Sequence, residues 1–190
     1  DTPADRSLLS GLRARAGSRS EALEAIENAL QEDPSQASDW LSYANLLFEE
    51  NETSKALEAA DKCLEIDRQC GEAWALKAKL LAPKTGRLKD ALKSAIHAVA
   101  LDSGGVELIL LKADLLLSEG SASAAEESLV KALEKDKMNG ELRARIATRH
   151  LLDGRINEAQ KLLDETPVGI DHALLHVVEG RLHLSNADRT

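Results

Sequence analysis

Apolar residues recur along this chain at the three- and four-residue spacing that places them on one face of a helix. In the segment SDWLSYANLLF, four of them fall at i, i+3, i+4 and i+7: Trp40, Tyr43, Ala44 and Leu47. The following segment, TSKALEAADKCLEID, repeats the pattern with smaller side chains. Such spacing predicts amphipathic helices, each of roughly 12–15 residues, rather than strands.

The same pattern returns about every 34 residues when the sequence is compared with itself. One series of small residues has steps of 34, 35, 34 and 34: Ala22, Ala56, Ala91, Ala125 and Ala159. A second series keeps nearly the same step: Ser10, Ala44, Ala78, Ala113, Ala147 and Gly180. The two tryptophans, Trp40 and Trp74, are also 34 residues apart. The chain is therefore predicted to be an array of repeats, each made of two helices.

Turn-forming residues separate the two helices of each repeat. They are Gly17, Asn51, Gly86, Gly120 and Gly154. Glycine and asparagine are the residues that most readily adopt the left-handed backbone conformation at the end of a helix. Their regular placement strengthens the prediction of helix–turn–helix repeats.

These features together resemble the tetratricopeptide repeat (TPR) family over nearly the whole chain. The resemblance implies an all-α fold, a right-handed α-solenoid of helix–turn–helix repeats. We expect a single solenoid within 1–190, with repeats at approximately 3–36, 37–70, 71–105, 106–139 and 140–169, and a leftover helix at 170–185. The small residues Ala44, Ala78 and Ala113 are expected where the two helices of a repeat cross closely. The weak first helix and the unpaired last helix indicate a fragment of a larger protein, and the alternative is that the last helix caps the array.

Composition and charge narrow the function classes. The 190 residues contain only 2% aromatics, which disfavours an all-β fold. A net charge of −9 argues against binding to nucleic acid, and no apolar stretch reaches the roughly 18 residues of a membrane span, so no direct membrane insertion is expected. The two cysteines, Cys63 and Cys70, are interpreted as one buried thiol and one thiol in a turn, and their spacing indicates no disulfide framework.

The TPR resemblance also implies a binding surface. In that family the first helices of the repeats line a concave groove. The groove residues predicted here are Leu41, Asn45, Phe48, Lys79, Leu110, Asp114, Leu117, Arg145, Thr148, Leu151 and Arg181. Leu41, Phe48, Leu110, Leu117 and Leu151 are expected either to be exposed for a ligand or to pack between neighbouring repeats.

Charged residues on the groove-facing side of the first helices indicate which charge the ligand carries. Glu72, Glu107 and Glu141 share one register and either form an acidic row or stabilise the helix N-termini. Some TPR proteins hold the terminal carboxylate of heat-shock chaperones with a clamp of Lys, Asn and Arg groups. Asn45 matches one place in that clamp. However, Leu41 stands where the clamp needs Lys, and Glu72 and Glu107 have the wrong charge, so the clamp is excluded. The expected partner is a protein or peptide, helical or extended, partly apolar and carrying basic residues.

No motif indicates catalysis. The sequence lacks GxxxxGK[ST], GxGxxG and HExxH, so no catalytic residue, cofactor or metal ligand is predicted. His172 and His176 lie four apart on one predicted helix, but surface histidines explain this spacing better than a metal site does.

The resulting hypothesis is a non-catalytic scaffold that recruits a partner in an assembly, secretion or export complex, with bacterial envelope assembly as one setting. One alternative is a self-association module, a homo-oligomer formed through the last helix. Another is a regulatory segment of a larger enzyme or of an envelope export protein. Composition fits a cytoplasmic or a bacterial periplasmic location equally well.

Overall fold

The computed structural model describes residues 19–82, 86–102, 105–170 and 172–187, and the side chains of the last helix as far as Leu184. The described residues form ten helices: α1 (Arg19–Glu32), α2 (Ala37–Glu49), α3 (Thr53–Ile66), α4 (Gly71–Leu81), α5 (Leu88–Ala100), α6 (Gly105–Ser118), α7 (Ala122–Lys135), α8 (Gly140–Leu152), α9 (Ile156–Asp164) and α10 (Ala173–Ala187). The fold is an all-α helical-repeat solenoid, which confirms the predicted fold class. The predicted first helix and Gly17 lie outside the described residues.

The helices alternate between two roles. We call the first helix of each repeat the A helix (α2, α4, α6, α8 and α10) and the second the B helix (α1, α3, α5, α7 and α9). The described residues up to Leu111 form one compact unit and those from Lys112 form another, and the division falls within α6. In the parts of the chain that the structure describes, no helix combines the length and apolar character needed to cross a bilayer.

Within the first unit, each A helix packs on the B helix that follows it, α2 on α3 and α4 on α5. In the second unit α8 packs on α9, and α10 contacts both. Small side chains fill these contacts: Ala44, Ala56 and Ala60 are fully buried in one cluster, and Ala147 and Ala159 in another. Because alanine lets two helix backbones approach closely, the recurring alanines explain how a chain with few aromatics builds a core.

The turns inside the repeats have one shared geometry. Asn51 (φ 60°), Gly120 (φ 86°) and Gly154 (φ 73°) adopt the left-handed conformation after α2, α6 and α8. In each case the next backbone N–H donates to a carbonyl five residues earlier, as in Glu52 to Leu47 at 2.9 Å. These bonds satisfy carbonyls at the helix end that have no partner within the helix. The turn residues predicted from the sequence therefore end these helices.

The turns between repeats are fixed by a second recurring contact. The indole Nε1–H of Trp40 donates to the Pro34 carbonyl oxygen at 2.9 Å, and that of Trp74 donates to the Arg68 carbonyl oxygen at 3.0 Å. Both bonds span six residues backwards and tie an A helix to the turn before it. The indole thus works as a hydrogen-bond donor while its ring packs.

Arg143 occupies the tryptophan register in α8 and makes the equivalent bond. Its Nη2 donates to the carbonyl oxygen of Lys137, again six residues back, at 3.2 Å, and its Nη1 donates to the Leu162 carbonyl oxygen at 2.9 Å. The side chain is buried, and burial lowers the pKa of the guanidinium. A charged group can replace the indole here because its fork-shaped set of donors reaches both carbonyls.

The start of α8 approaches the segment before α10 unusually closely. A Cβ added at Gly140 would lie 2.7 Å from Cβ of His172 and 2.9 Å from Cγ2 of Ile170. Gly180 in α10 is the opposite case, since an added Cβ would meet nothing within 4 Å. Glycine is therefore required by packing at position 140 and not at position 180.

We expect Gly140→Ala to lower the free energy of unfolding by about 1–3 kcal/mol, because its Cβ overlaps two side chains. Gly180→Ala is the matched control and is expected to raise it by roughly 0.5–1 kcal/mol, the usual effect of alanine in a helix. Urea denaturation of both variants measures the difference. Equal stabilisation by the two alanines would show that the close approach at Gly140 is absent.

Candidate functional site: the A-helix face

In the first unit, the predicted groove residues differ in exposure. Phe48 is 41% exposed and Asn45 is exposed at the end of α2. Leu41 is half-buried and packs against the cluster of Cys63, Leu64 and Ala73. The aromatic ring is thus the large apolar group that this part of α2 presents to solvent.

For Leu110 the sequence left two alternatives open, exposure to a ligand and packing between repeats, and the side chain is buried. Its side chain is only 8% exposed in α6. The groove residues were predicted from the spacing within one helix, and this spacing does not show which side chains of neighbouring helices cover them. Leu117, in the second unit, is half-buried.

Basic groups on the A helices are paired with acidic groups on adjacent A helices. In the first unit, Lys79 Nζ of α4 lies 3.3 Å from Glu107 Oε2 of α6. In the second unit, Arg145 Nη1 of α8 lies 3.4 Å from Asp114 Oδ1 of α6. Both pairs are largely exposed, so each contributes at most about 1 kcal/mol. Their effect is to set the charge pattern of the surface, because the cations and carboxylates predicted to face a ligand partly neutralise each other.

The second unit contains a pocket of about 320 Å³ between α8 and α10. Three of its lining residues, Thr148, Leu151 and Arg181, are predicted groove residues, and Leu152 and Leu184 complete it. Leu152 is 71% and Leu184 69% exposed, whereas Leu151 is half-buried against the core of the unit. The pocket therefore has an apolar floor, two exposed leucines at its edge and one guanidinium.

A larger pocket of about 580 Å³ lies elsewhere in the first unit and was not predicted. Its lining comes mainly from α3, α4 and α5: Asp61, Leu64, Glu65, Arg68, Gln69, Trp74, Lys77, Lys93 and His97. The Trp74 ring stacks on His97 with centroids 4.7 Å apart, and Lys77 Nζ lies 5.6 Å from the ring while pairing with Asp61. Charges of both signs line this pocket, and it has no apolar edge comparable to Leu152 and Leu184.

Comparison with known proteins agrees with this architecture. Residues 13–80 match the tetratricopeptide repeat family model. This match shows tetratricopeptide repeats in that part of the chain. No curated protein sequence matches it.

Solved structures of TPR proteins share the fold along most of the chain. YrrB, described as a TPR protein with an unusual peptide-binding site, is 23% identical, with 88% of this chain and 86% of YrrB covered and a TM-score of 0.69. PilF of Pseudomonas aeruginosa is 18% identical, with 98% and 85% covered and a TM-score of 0.76. MamA of Desulfovibrio magneticus RS-1 is 17% identical, with 87% and 93% covered and a TM-score of 0.73. At these identities the likeness shows the TPR fold alone.

Two residues that line the pocket of the second unit, Leu152 and Leu184, were not among the predicted groove residues. Leu152 lines the pocket but was not predicted, although it lies four residues after Thr148, because the predicted groove continued from Thr148 to Leu151, three residues on. Leu184 also lines the pocket and lies three residues after Arg181, which is the helical spacing of the predicted groove residues. A pair of adjacent leucines at the end of an A helix is the signal that could have identified Leu152.

The histidines considered for a metal site have other contacts. The backbone N–H of Leu174 donates to His172 Nδ1 at 3.3 Å, and His176 Nδ1 lies 3.4 Å from Glu179 Oε2. Within the described ranges, no three His, Cys, Asp or Glu side chains converge as metal ligands do.

A half-buried charge cluster joins α7 to the end of α8 and the turn that follows it. Arg155 Nη1 donates to Glu126 Oε1 at 2.9 Å, and this bond holds the pKa of the Glu126 carboxyl below its ordinary 4.5. His150 stands in the register of Leu47 and Leu116, and its Nδ1 is 3.7 Å from Glu126 Oε1, too far for a hydrogen bond. Burial, and secondarily the charge of Arg155, lower the pKa of His150 below 6.5, although Glu126, Glu158 and Asp153 act in the opposite direction.

The stability of the second unit should consequently fall on acidification. Below pH 6.5 the unfolded chain binds a proton at His150 that the folded chain resists, so stability is lost as the pH falls from there through the lower folded pKa. Glu126 adds a loss below pH 4.5, because its folded form keeps the carboxylate.

We expect His150→Leu to raise stability and to remove the part of the pH dependence that begins near pH 6.5, because leucine restores the side chain found at Leu47 and Leu116. The loss below pH 4.5 should remain. Urea midpoints at pH 8, 5.5 and 4 measure both parts. His183→Leu is the control at an exposed histidine in the same register, and an identical response in both variants would contradict the role of burial at His150.

Proposed function

We propose that this chain is a non-catalytic scaffold that binds a protein or peptide along its A helices. The observation that carries the proposal is the pocket between α8 and α10, where exposed Leu152 and Leu184 border a concave, partly apolar surface. Large apolar groups that a partner can desolvate are the usual energetic centres of protein interfaces. YrrB, whose fold this chain shares, is described as having a peptide-binding site, which supports the same class of ligand here.

The chemistry of the pocket defines the ligand. A volume of about 320 Å³ accommodates an apolar side chain rather than a folded domain. Arg181 supplies hydrogen-bond donors for a carbonyl or carboxylate of the peptide, and Thr148 supplies a hydroxyl. In the first unit, Phe48 is the corresponding apolar anchor, and exposed Glu72 and Glu107 favour basic residues in the ligand. The proposed ligand is therefore a partly apolar peptide that carries basic residues.

The biological setting is part of the same proposal. Action in an assembly, secretion or export complex rests on the alanine- and leucine-rich composition. The absence of a recognisable catalytic motif in the sequence favours recruitment over catalysis.

A displayed library of random dodecapeptides, selected against the full chain, tests the binding function. We expect the selected peptides to share an apolar residue, and Leu152→Ser and Leu184→Ser each to weaken their binding at least tenfold. Phe48→Ala reports whether the first unit contributes to the same binding. Fluorescence polarisation gives the affinities, and circular dichroism verifies that the variants are folded.

Val130→Ser is the matched control, since Val130 is also exposed (37%) but lies on the B helix α7. Its binding should equal that of the unchanged chain. If all serine variants weakened binding to the same extent, or if no peptide were selected, the A-helix face would not be the site.

Self-association is a second candidate that one observation favours. The helix α10 leaves Leu174, Val177 and Leu184 exposed, which is much apolar surface for one helix. Light scattering during gel filtration distinguishes this function from the first. A dimer that Val177→Ser dissociates would favour self-association, and a monomer at high micromolar concentration would exclude it.

A further inference from the structure

The only two cysteines of the chain meet at the junction between α3 and α4. Cys63 lies in α3 and is fully buried, and Cys70 is the N-cap residue of α4 and is half-buried. Cys70 packs against the cluster formed by Cys63, Leu64 and Ala73. Both thiols are free, and Cys70 lies close enough to Cys63 to raise the pKa of the buried thiol. The sequence interpretation of two unrelated thiols missed this contact.

The repeat architecture explains why residues seven apart meet here. The same two positions recur in other repeats as Ala29 and Gln36 and as Ala132 and Asn139. The first of each pair faces the core from a B helix, and the second caps the A helix that follows. The reversal of the chain between the helices brings the two positions together, and only in this junction do both carry sulfur.

The environment gives the two sulfurs different roles. Trp40 and Trp74 pack around Cys63, so a reagent in solution reaches Cys70 first. Burial, and next the closeness of Cys70, raise the pKa of Cys63 to about 12. Cys70 is the sulfur that reacts first, and Cys63 is the one positioned to resolve the product.

We propose that Cys63 and Cys70 are a redox-active dithiol, which hydrogen peroxide converts into a reversible disulfide that closes the turn between α3 and α4. The Cys70 sulfur attacks a peroxide oxygen, the O–O bond breaks, and the leaving hydroxide takes the thiol proton as water, which leaves a sulfenic acid. The Cys63 sulfur then attacks the sulfenic sulfur. An S–S bond forms, the S–O bond breaks, and a second water leaves with the Cys63 proton. Two electrons pass from the sulfurs to one peroxide, and a dithiol reductant restores both thiols.

Peptide mapping of the full native chain after peroxide treatment tests the pairing. Trypsin cuts after Lys62, Arg68 and Lys77, so the two cysteines fall on separate peptides. We expect these peptides to be joined by a disulfide within one chain, with a mass about 2 Da below their sum, and to separate after dithiothreitol. The oxidised chain should also melt at a higher temperature than the reduced chain, because the new bond restricts the unfolded state.

Cys63→Ala is the matched control, since alanine occupies this position at Ala29, Ala98 and Ala132. It should form no linked pair and show no gain in melting temperature after treatment. Met138 is 56% exposed, so its oxidation to the sulfoxide shows that the dose of peroxide was effective. If Met138 were oxidised while both cysteines remained open to alkylation, or if disulfides formed only between chains, the proposal would be overturned.

Discussion

The close approach of paired helices at small side chains is the constraint on which the rest of this structure depends. Ala147 of α8 and Ala159 of α9 are fully buried, as are Ala44 of α2 and Ala56 of α3. A chain with 2% aromatics cannot fill wide gaps between helices, so it keeps the helices close and fills the remaining space with leucine. The 34-residue spacing of these alanines makes each repeat present the same packing face.

The surface available for function follows from that packing. Since one face of α2, α4 and α8 is used for contact with the B helix that follows each of them, the opposite face is left to solvent or to a partner. Charge pairs between A helices, Lys79 with Glu107 and Arg145 with Asp114, occupy part of it. The partly apolar pocket between α8 and α10 remains open, which is why we propose it as the place where a partner inserts a side chain.

Much of this architecture could be predicted from the sequence, because helix periodicity, the repeat step and the turn residues are local properties. Asn51, Gly120 and Gly154 have the left-handed conformation that their residue types favour. Leu110 shows where such reasoning stops, because its burial depends on side chains outside its own helix. Residues at three- and four-residue spacing identify one face of a helix. This spacing does not show how much of that face the neighbouring helices cover.

The sequence did not reveal several contacts, and each of them joins one helix to another helix or to a turn. Arg143 takes over the bond of a tryptophan, which composition alone does not suggest, because arginine and indole share only their donor groups. Cys63 and Cys70 are seven residues apart, a spacing that corresponds to two turns of one helix. The chain, however, reverses direction between them. Leu152 became part of a pocket only because α10 stands opposite it. Each case requires the three-dimensional register of one helix against the next.

The most direct test of this account enlarges the side chain at a helix crossing in the second unit. Ala147→Leu should lower the free energy of unfolding by about 1–3 kcal/mol, because the extra carbons must force α8 and α9 apart. Arg145→Leu adds an apolar side chain two residues away on the exposed surface and should change stability by no more than about 0.5 kcal/mol. Urea denaturation of the two variants beside the unchanged chain gives both values. A chain that accepts leucine at position 147 without loss would contradict the claim that small residues set the distance between the helices.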